Sequence, residues 1–229
     1  MIQLLSLAFG PFAEVEPLNP SFTPGHSKLR LVVDAEPHPD VPDDQLLENL
    51  EQSFPGIEAH RCRDRNGDAN PGDTEWGVIL LENESTANQA HLLEHLLLEF
   101  LSLAGHGSRL SGVTCAYESP PHRNDVFVEC REAGAGRLLA VIAVDALNAA
   151  LDRRCLSPLY PDAVRSAREV LGPEPRRGWY PADLAPRAEI PSPRAASVLE
   201  LFERAGAVEP DPYAMNFSGE PFYRLIESY

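Results

Sequence analysis

Basic residues are scarce in this sequence of 229 residues, which has 19 lysines and arginines against 35 aspartates and glutamates and a formal net charge of −16. Binding to nucleic-acid phosphates or to an anionic membrane surface needs a basic stripe, and the sequence contains none. We therefore expect neither nucleic acid nor membrane as a partner. The excess of carboxylates permits a cationic partner, although acidity by itself commonly serves solubility.

The sequence also lacks the signals of a secreted or membrane-spanning chain. The N-terminal run Met1 to Phe9 is apolar, but no basic residue precedes it and no small-residue cleavage site follows it, so it is predicted to be a strand. No apolar run approaches the length of a membrane span. The four cysteines lie far apart without a Cys-x-x-Cys pair and are expected to be thiols in a reducing compartment. These features predict a cytoplasmic protein.

Several motifs of catalysis and ligand binding are absent as well. The sequence has no Gly-rich phosphate loop, no Gly-x-Ser-x-Gly elbow and no signature of a nucleophilic cysteine. The segment from Asp64 to Glu75 spaces its polar residues like a calcium loop, but Ala69 stands where that loop needs glycine. This segment is therefore predicted to be a polar turn.

Apolar periodicity and turn residues predict an α+β fold, with helices laid over a mainly antiparallel sheet. The predicted strands are residues 1–9, 28–35, 57–62, 76–82, 112–119 and 125–132. The predicted helices are residues 43–53, 87–104, 137–152, 161–171 and 194–205. Residues 1–172 are expected to form the main domain. Residues 173–229 are expected to be a Pro-rich connector, a helix and a tail packed on it, and residues 208–229 show no clear period.

The helix predicted between Ala87 and Ala104 carries the inverted zincin motif His91-Leu-Leu-Glu94-His95. Histidines four residues apart lie one turn above each other on a helix, so both imidazoles can bind one zinc ion. Glu94 lies beside them, close enough to accept a proton from a zinc-bound water. The motif predicts two zinc ligands and a catalytic base.

A plain amphipathic helix is the alternative interpretation of the same residues. The polar residues fall on one side of a helix that is otherwise rich in leucine: His91, Glu94, His95, Glu99 and Ser102. An ordinary helix exposes such a face to solvent. However, this stripe contains no lysine or arginine, which solvated faces usually carry. The helix alone leaves both interpretations open.

A zinc site needs a third protein ligand, and three glutamates are candidates. Glu169 is preferred because its apolar neighbours predict that its helix packs against the domain, although it can also be a surface carboxylate. Glu129 lies on a strand that can pass the metal helix, and Glu99 rotates away from the histidine pair. Three loop histidines are weaker candidates: His60, His106 and His122.

The order of helix, two strands, helix and helix resembles the core of the pitrilysin/insulinase-type inverzincins, with His91-x-x-Glu94-His95 first and a distant glutamate later. The resemblance implies a zinc metallopeptidase. His91 and His95 would be zinc ligands, the distant glutamate, provisionally Glu169, would be the third, and Glu94 would be the catalytic residue.

A closer resemblance is to the N-terminal domain of cyanophycin synthetases. It is carried by Glu58-Ala-His60-Arg-Cys62, His91 to Glu99, Leu103-Ala-Gly105, Asp125-Val-Phe-Val-Glu129, Glu132 to Arg137 and Ile190-Pro-Ser-Pro193. The similarity covers most of residues 1–207 at a low level, and only the metal-helix region is specific. It implies that the domain hydrolyses cyanophycin, a polymer of aspartate with side-linked arginine, or only binds it. It also implies association with a cyanophycin or peptide synthetase.

Two departures from that family bear on function. The sequence has no ATP-grasp or Mur-ligase-like part, so no synthesis is expected from it alone. Gly112-Val-Thr-Cys-Ala-Tyr117 stands where we expect the family to have Gly-x-Gly-Arg-Thr-Arg, so two arginines are missing. We expect a substrate with cationic side chains, whose guanidinium groups would be bound by carboxylates of Glu118, Glu129 or Glu132. The second hypothesis is a binding module that keeps the fold without the chemistry.

Overall fold

A computed structural model describes residues 1–36, 43–57, 87–107, 110–152, 156–172 and 176–226. The fold is α+β, as the sequence predicts. The described strands are β1 (Ile2–Gly10), β2 (Lys28–Ala35), β3 (Gly112–Ala116), β4 (Arg123–Glu129), β5 (Gly178–Trp179), β6 (Val208–Met215) and β7 (Pro221–Leu225). The described helices are α1 (Asp43–Ser53), α2 (Ala87–Leu103), α3 (Ala133–Leu151), α4 (Leu159–Leu171), α5 (Pro181–Arg187) and α6 (Ser192–Arg204), with a short 3-10 helix at Ala13–Leu18. The strands predicted at 57–62 and 76–82 lie, beyond Ile57, outside the described residues, as does the polar turn at 64–75.

Four strands form an antiparallel sheet in the order β1-β2-β4-β3. Alternate residues of β2, such as Leu29 and Leu31, are fully buried because side chains two apart lie on the same face of a strand. β4 adds Val126 and Val128 to this face, and Leu31 pairs with Val126 across the two strands. Helices α2 and α3 pack against the sheet. Helix α2, which carries His91, Glu94 and His95, is therefore in contact with the main sheet.

Helix α3 is long and apolar enough to cross a membrane, although the sequence analysis found no such run. In this fold α3 is a core helix, and Leu138 and Ile142 are among its fully buried residues. Near the C-terminal end of α3, the side chain of Asn148 forms hydrogen bonds with β1. The Asn148 Oδ1 accepts the Ile2 N–H at 2.7 Å and the Asn148 Nδ2 donates to the Ile2 carbonyl at 2.8 Å. Packing within the protein thus accounts for the apolar character of α3.

The segment between β1 and β2 is tied to the sheet by Lys28, the only lysine in the sequence. Lys28 is fully buried, and its Nζ donates to the carbonyls of Pro11 at 2.9 Å and His26 at 3.0 Å. The Nζ also lies 3.0 Å from the carboxylate of Glu16 and 5.1 Å from the ring centroid of Phe22. A buried ammonium group is tolerated when its protons are bonded and its charge is paired.

The C-terminal residues form a second antiparallel sheet, in the order β5-β7-β6. The sequence predicts no strand in this region, because β6 contains two prolines and is largely exposed, which obscures the alternation of buried and exposed residues. Trp179 and Tyr223 belong to the same apolar cluster as Leu31 and Leu93. The described residues after 176 therefore share one core with those before 172.

Candidate functional site

Helix α2 is buried on nearly every side. From Leu92 to Leu101 no residue is more than 6% exposed, and this run includes Glu94, His95 and Glu99. A solvated helix face is therefore the wrong interpretation for Glu94, His95 and Glu99, whereas His91 and Ser102, at the two ends of the stripe, are half-buried. Carboxyl and imidazole groups lose hydration when they are buried, so a fold that keeps them inside needs polar partners for them.

His91 and His95 lie together on α2. Their ring centroids are 4.9 Å apart and their planes meet at 65°, as expected for residues one helical turn apart. Burial lowers the pKa of His91 and so favours the neutral imidazole. The neutral ring is the form that binds a metal ion. The two histidines of the motif therefore provide adjacent nitrogen donors.

Glu94 lies against strand β3. The hydroxyl of Thr114 donates a hydrogen bond of 2.6 Å to Glu94 Oε2. A Cβ atom placed on Gly112 would lie 2.6 Å from Glu94 Oε1, so the glycine backbone directly faces the carboxylate. Burial raises the pKa of Glu94 to about 7, and the hydrogen bond from Thr114 opposes that rise. A carboxyl group with this pKa can accept and release a proton near neutral pH.

The preferred third ligand, Glu169, is not brought together with the histidine pair. It is a third exposed on α4, and its carboxylate faces Arg187 of α5 at 4.0 Å. Among the residues that the structure describes, no three histidine, cysteine, aspartate or glutamate side chains form a group able to hold a metal ion. The described residues thus supply two donors from the motif, but not a complete set of ligands.

The carboxylates of Glu99 and Glu129, the two alternative third ligands, are both buried within the fold. Glu99 is buried, and its carboxylate lies directly over Gly56, just after α1. Glu129 is 4% exposed, and its two oxygens accept the backbone N–H groups of Thr23 at 2.6 Å and Ser111 at 3.2 Å. The carboxylate of Glu129 therefore joins the ends of two loops to β4.

The histidines predicted as weaker candidates do not join the pair either. His106 follows the C-terminal end of α2, whereas His91 lies near its beginning. His122 lies in the turn before β4, and its Nε2 is 3.9 Å from the carboxylate of Asp34. His60 lies outside the described residues.

The carboxylates proposed to bind guanidinium groups do not share one cleft. Glu118 is exposed beyond the end of β3, and Glu132 follows the end of β4 at the N-terminus of α3. Because β3 and β4 are antiparallel, these residues lie at opposite ends of the strand pair. Glu129, between them in sequence, is bound to backbone amides as described above. Of the three, Glu118 and Glu132 keep carboxylates that are at least partly exposed.

A polar cluster that was not predicted from the sequence lies on the outer face of the sheet. Asp125 accepts two hydrogen bonds from Arg30, of 3.1 and 2.9 Å, and one of 3.1 Å from the hydroxyl of Tyr117. The Arg30 guanidinium also lies 5.7 Å from the ring centroid of Phe127. Alternation along β2 and β4 puts these residues on one face, and this pattern could have identified the cluster. Asp125 is already neutralised by Arg30, so it is not available to a cationic substrate.

No protein-family model matches this sequence, and no curated protein matches it. The chemistry assigned to the site therefore depends on the residues of α2 and β3.

Proposed function

We propose that this protein is a zinc-dependent amide hydrolase in which Glu94 is the catalytic base. The observation that carries the proposal is a buried carboxyl group, with a pKa of about 7, on the same helix as two adjacent imidazoles. A helix gains no packing energy from burying Glu94 and His95, whereas a hydrolytic site uses both of them together with His91. The donor chemistry of His91 and His95 fits zinc, which these residues would hold.

The residues of this chain would hold the metal ion, orient the catalytic base and move a proton. His91 and His95 would hold a zinc ion, which would supply a Lewis acid and lower the pKa of water. Glu94 would accept the proton of the attacking water on its carboxylate and then pass it to the nitrogen of the departing amine. Thr114 would hold Oε2 during these transfers, which leaves Oε1 to exchange the proton. The apolar surroundings of α2 would exclude bulk water from the base.

The substrate that we propose is a peptide with cationic side chains, such as cyanophycin or a related arginine-bearing isopeptide. The net charge of −16 and the resemblance of the metal helix to the N-terminal domain of cyanophycin synthetases support it. Glu118 and Glu132 are the candidates for contacts with guanidinium groups, because the Glu129 carboxylate is used within the fold. Association with a cyanophycin or peptide synthetase belongs to the same proposal.

A peptide-binding module without catalysis is the second candidate function. It is favoured by one observation, the lack of a three-ligand group among the described residues. Such a module would bind peptide or polymer equally well with and without a carboxylate at position 94.

The substitution Glu94→Gln separates the two candidates. We expect zinc-loaded wild-type protein to release products from soluble cyanophycin, and the variant to do so about 10²- to 10⁴-fold more slowly, since the general base is lost. Chromatography of the products over time, at matched zinc content, measures the ratio. Equal rates for the two proteins, or binding of polymer without any product from the wild type, would contradict the hydrolase.

A further inference from the structure

The geometry of β3 points to a positioning residue for the base: we propose that the Thr114 hydroxyl holds the Glu94 carboxylate in the orientation needed for proton transfer. This inference rests on the proposed function of Glu94. Thr114 Oγ1 lies 2.6 Å from Glu94 Oε2, within the range of hydrogen bonds to ionised acceptors. When Glu94 is ionised, which is the form that acts as a base, the threonine hydroxyl donates and the carboxylate accepts.

Thr114 is half-buried on β3, the edge strand of the sheet, and its hydroxyl is directed at Glu94 of α2. Thr114 pairs with Val126, and Gly112 pairs with Val128, both of which are fully buried. Residues two apart share a face of the strand, so Gly112 and Thr114 both face α2. Valine has the shape of threonine and would fill the same space. Both side chains would fit this half-buried position, but only threonine supplies a hydrogen-bond donor to Glu94.

Gly112 makes the close approach possible. A Cβ atom there would lie 2.6 Å from Glu94 Oε1 and 2.8 Å from Glu94 Cγ, so any larger residue would displace the carboxylate. The Asn19 side chain donates to the Gly112 carbonyl at 2.7 Å, which fixes β3 at the edge of the sheet. Strand β3 therefore sets the place of the carboxylate through Gly112 and its rotation through Thr114.

This arrangement gives the two oxygens of Glu94 different roles. Oε2 is bound by Thr114, whereas Oε1 has no hydrogen-bond donor in the described part of the chain. When Oε2 is held in place, the carboxylate cannot rotate freely. The lone pair of Oε1 then has a defined direction. Loss of the fixed oxygen lets the carboxyl group rotate, and misplacement of a catalytic group by about 1 Å costs on the order of 10²-fold in rate.

The kinetic test compares Thr114→Val, which keeps the shape, with Thr114→Ser, which keeps the donor. On zinc-loaded protein with soluble cyanophycin, we expect Thr114→Val to lower kcat by about 10- to 100-fold with KM and zinc content unchanged. Thr114→Ser should restore most of the loss. The matched control is Thr23→Val, an exposed threonine, which should behave as wild type. Wild-type kcat in Thr114→Val, together with a strong effect of Glu94→Gln, would overturn the positioning role alone.

A second readout needs neither metal nor activity. The infrared difference between metal-free wild type and Glu94→Gln isolates the carboxyl bands of Glu94. We expect these bands to shift in Thr114→Val and to stay in place in Thr114→Ser. Unchanged bands in Thr114→Val overturn the inference even if the protein hydrolyses nothing. If Thr114→Val does not fold, Thr114→Ala provides the second variant, since it also removes the hydroxyl and should shift the same bands.

Discussion

At the scale of single residues, burial changes the acid–base behaviour of Cys130. Its thiol donates to the carbonyl of Glu132 at 3.2 Å, and its Sγ lies against Gly136. Burial raises the pKa of Cys130 to about 11. The thiol is then protonated in the folded protein at pH values where the unfolded chain is ionised. The contribution of Cys130 to the free energy of unfolding is fully present below about pH 8.5, the pKa of the thiol in the unfolded chain. This contribution is lost as the pH rises to the pKa of the thiol in the folded protein.

A pH series of urea unfolding tests this expectation on wild type and Cys130→Ala. Between about pH 8.5 and 11, the wild type should lose on the order of 3 kcal/mol more of its free energy of unfolding than the variant, since each pKa unit corresponds to about 1.4 kcal/mol. The comparison cancels the other groups that ionise in this range. Parallel pH profiles for the two proteins would show that the thiol is not held protonated by the fold.

At the scale of elements, Lys28 fastens the segment between β1 and β2 to the sheet. Lys28→Met keeps the apolar stem but leaves the Pro11 and His26 carbonyls without their donor. We expect the free energy of unfolding to fall by about 2–4 kcal/mol, because buried polar groups that lose their partner keep their cost of desolvation.

The matched control for this prediction is Arg224→Met. Arg224 also pairs with a glutamate, Glu209, at 2.8 Å, but both side chains are about half exposed. Its loss should cost less than about 1 kcal/mol, since exposed ion pairs contribute little. Urea unfolding measures both values. Equal losses for the two variants would mean that Lys28 does not hold the segment.

Elements with strong periodicity or defined end signals could be predicted from the sequence. The strand at Lys28–Ala35 has the predicted bounds, and helix α2 is followed by Gly105 at a φ of +84°, the left-handed conformation that glycine favours. Helix α3 begins one turn earlier than predicted, at Ala133 instead of Arg137. Periodicity indicates which residues share a face but not how many faces a helix buries. This is why the surroundings of α2 had to come from the structure.

At the scale of the whole molecule, the sequence did not indicate which carboxylates lie near the histidine pair. The apolar face of α4 was visible in the sequence, and α4 is present at Leu159–Leu171. However, Glu169 faces α5, a helix that lies inside the predicted Pro-rich connector. Short helices that begin at a proline give little periodic signal. Which carboxylate meets a given helix depends on how distant elements pack, and one sequence does not fix that.

The most direct test of the proposed zinc site is a measurement of zinc content in purified wild-type protein, His91→Ala and His95→Ala. Zinc is measured after reconstitution and removal of excess metal. We expect about one zinc per wild-type chain and a large loss in each histidine variant, since both imidazoles are ligands in the proposed site. Glu169→Ala is the matched carboxylate control, and its contact with Arg187 predicts that zinc is retained. Negligible zinc in the wild type, or equal zinc in the wild type and both histidine variants, would contradict a metal centre on α2.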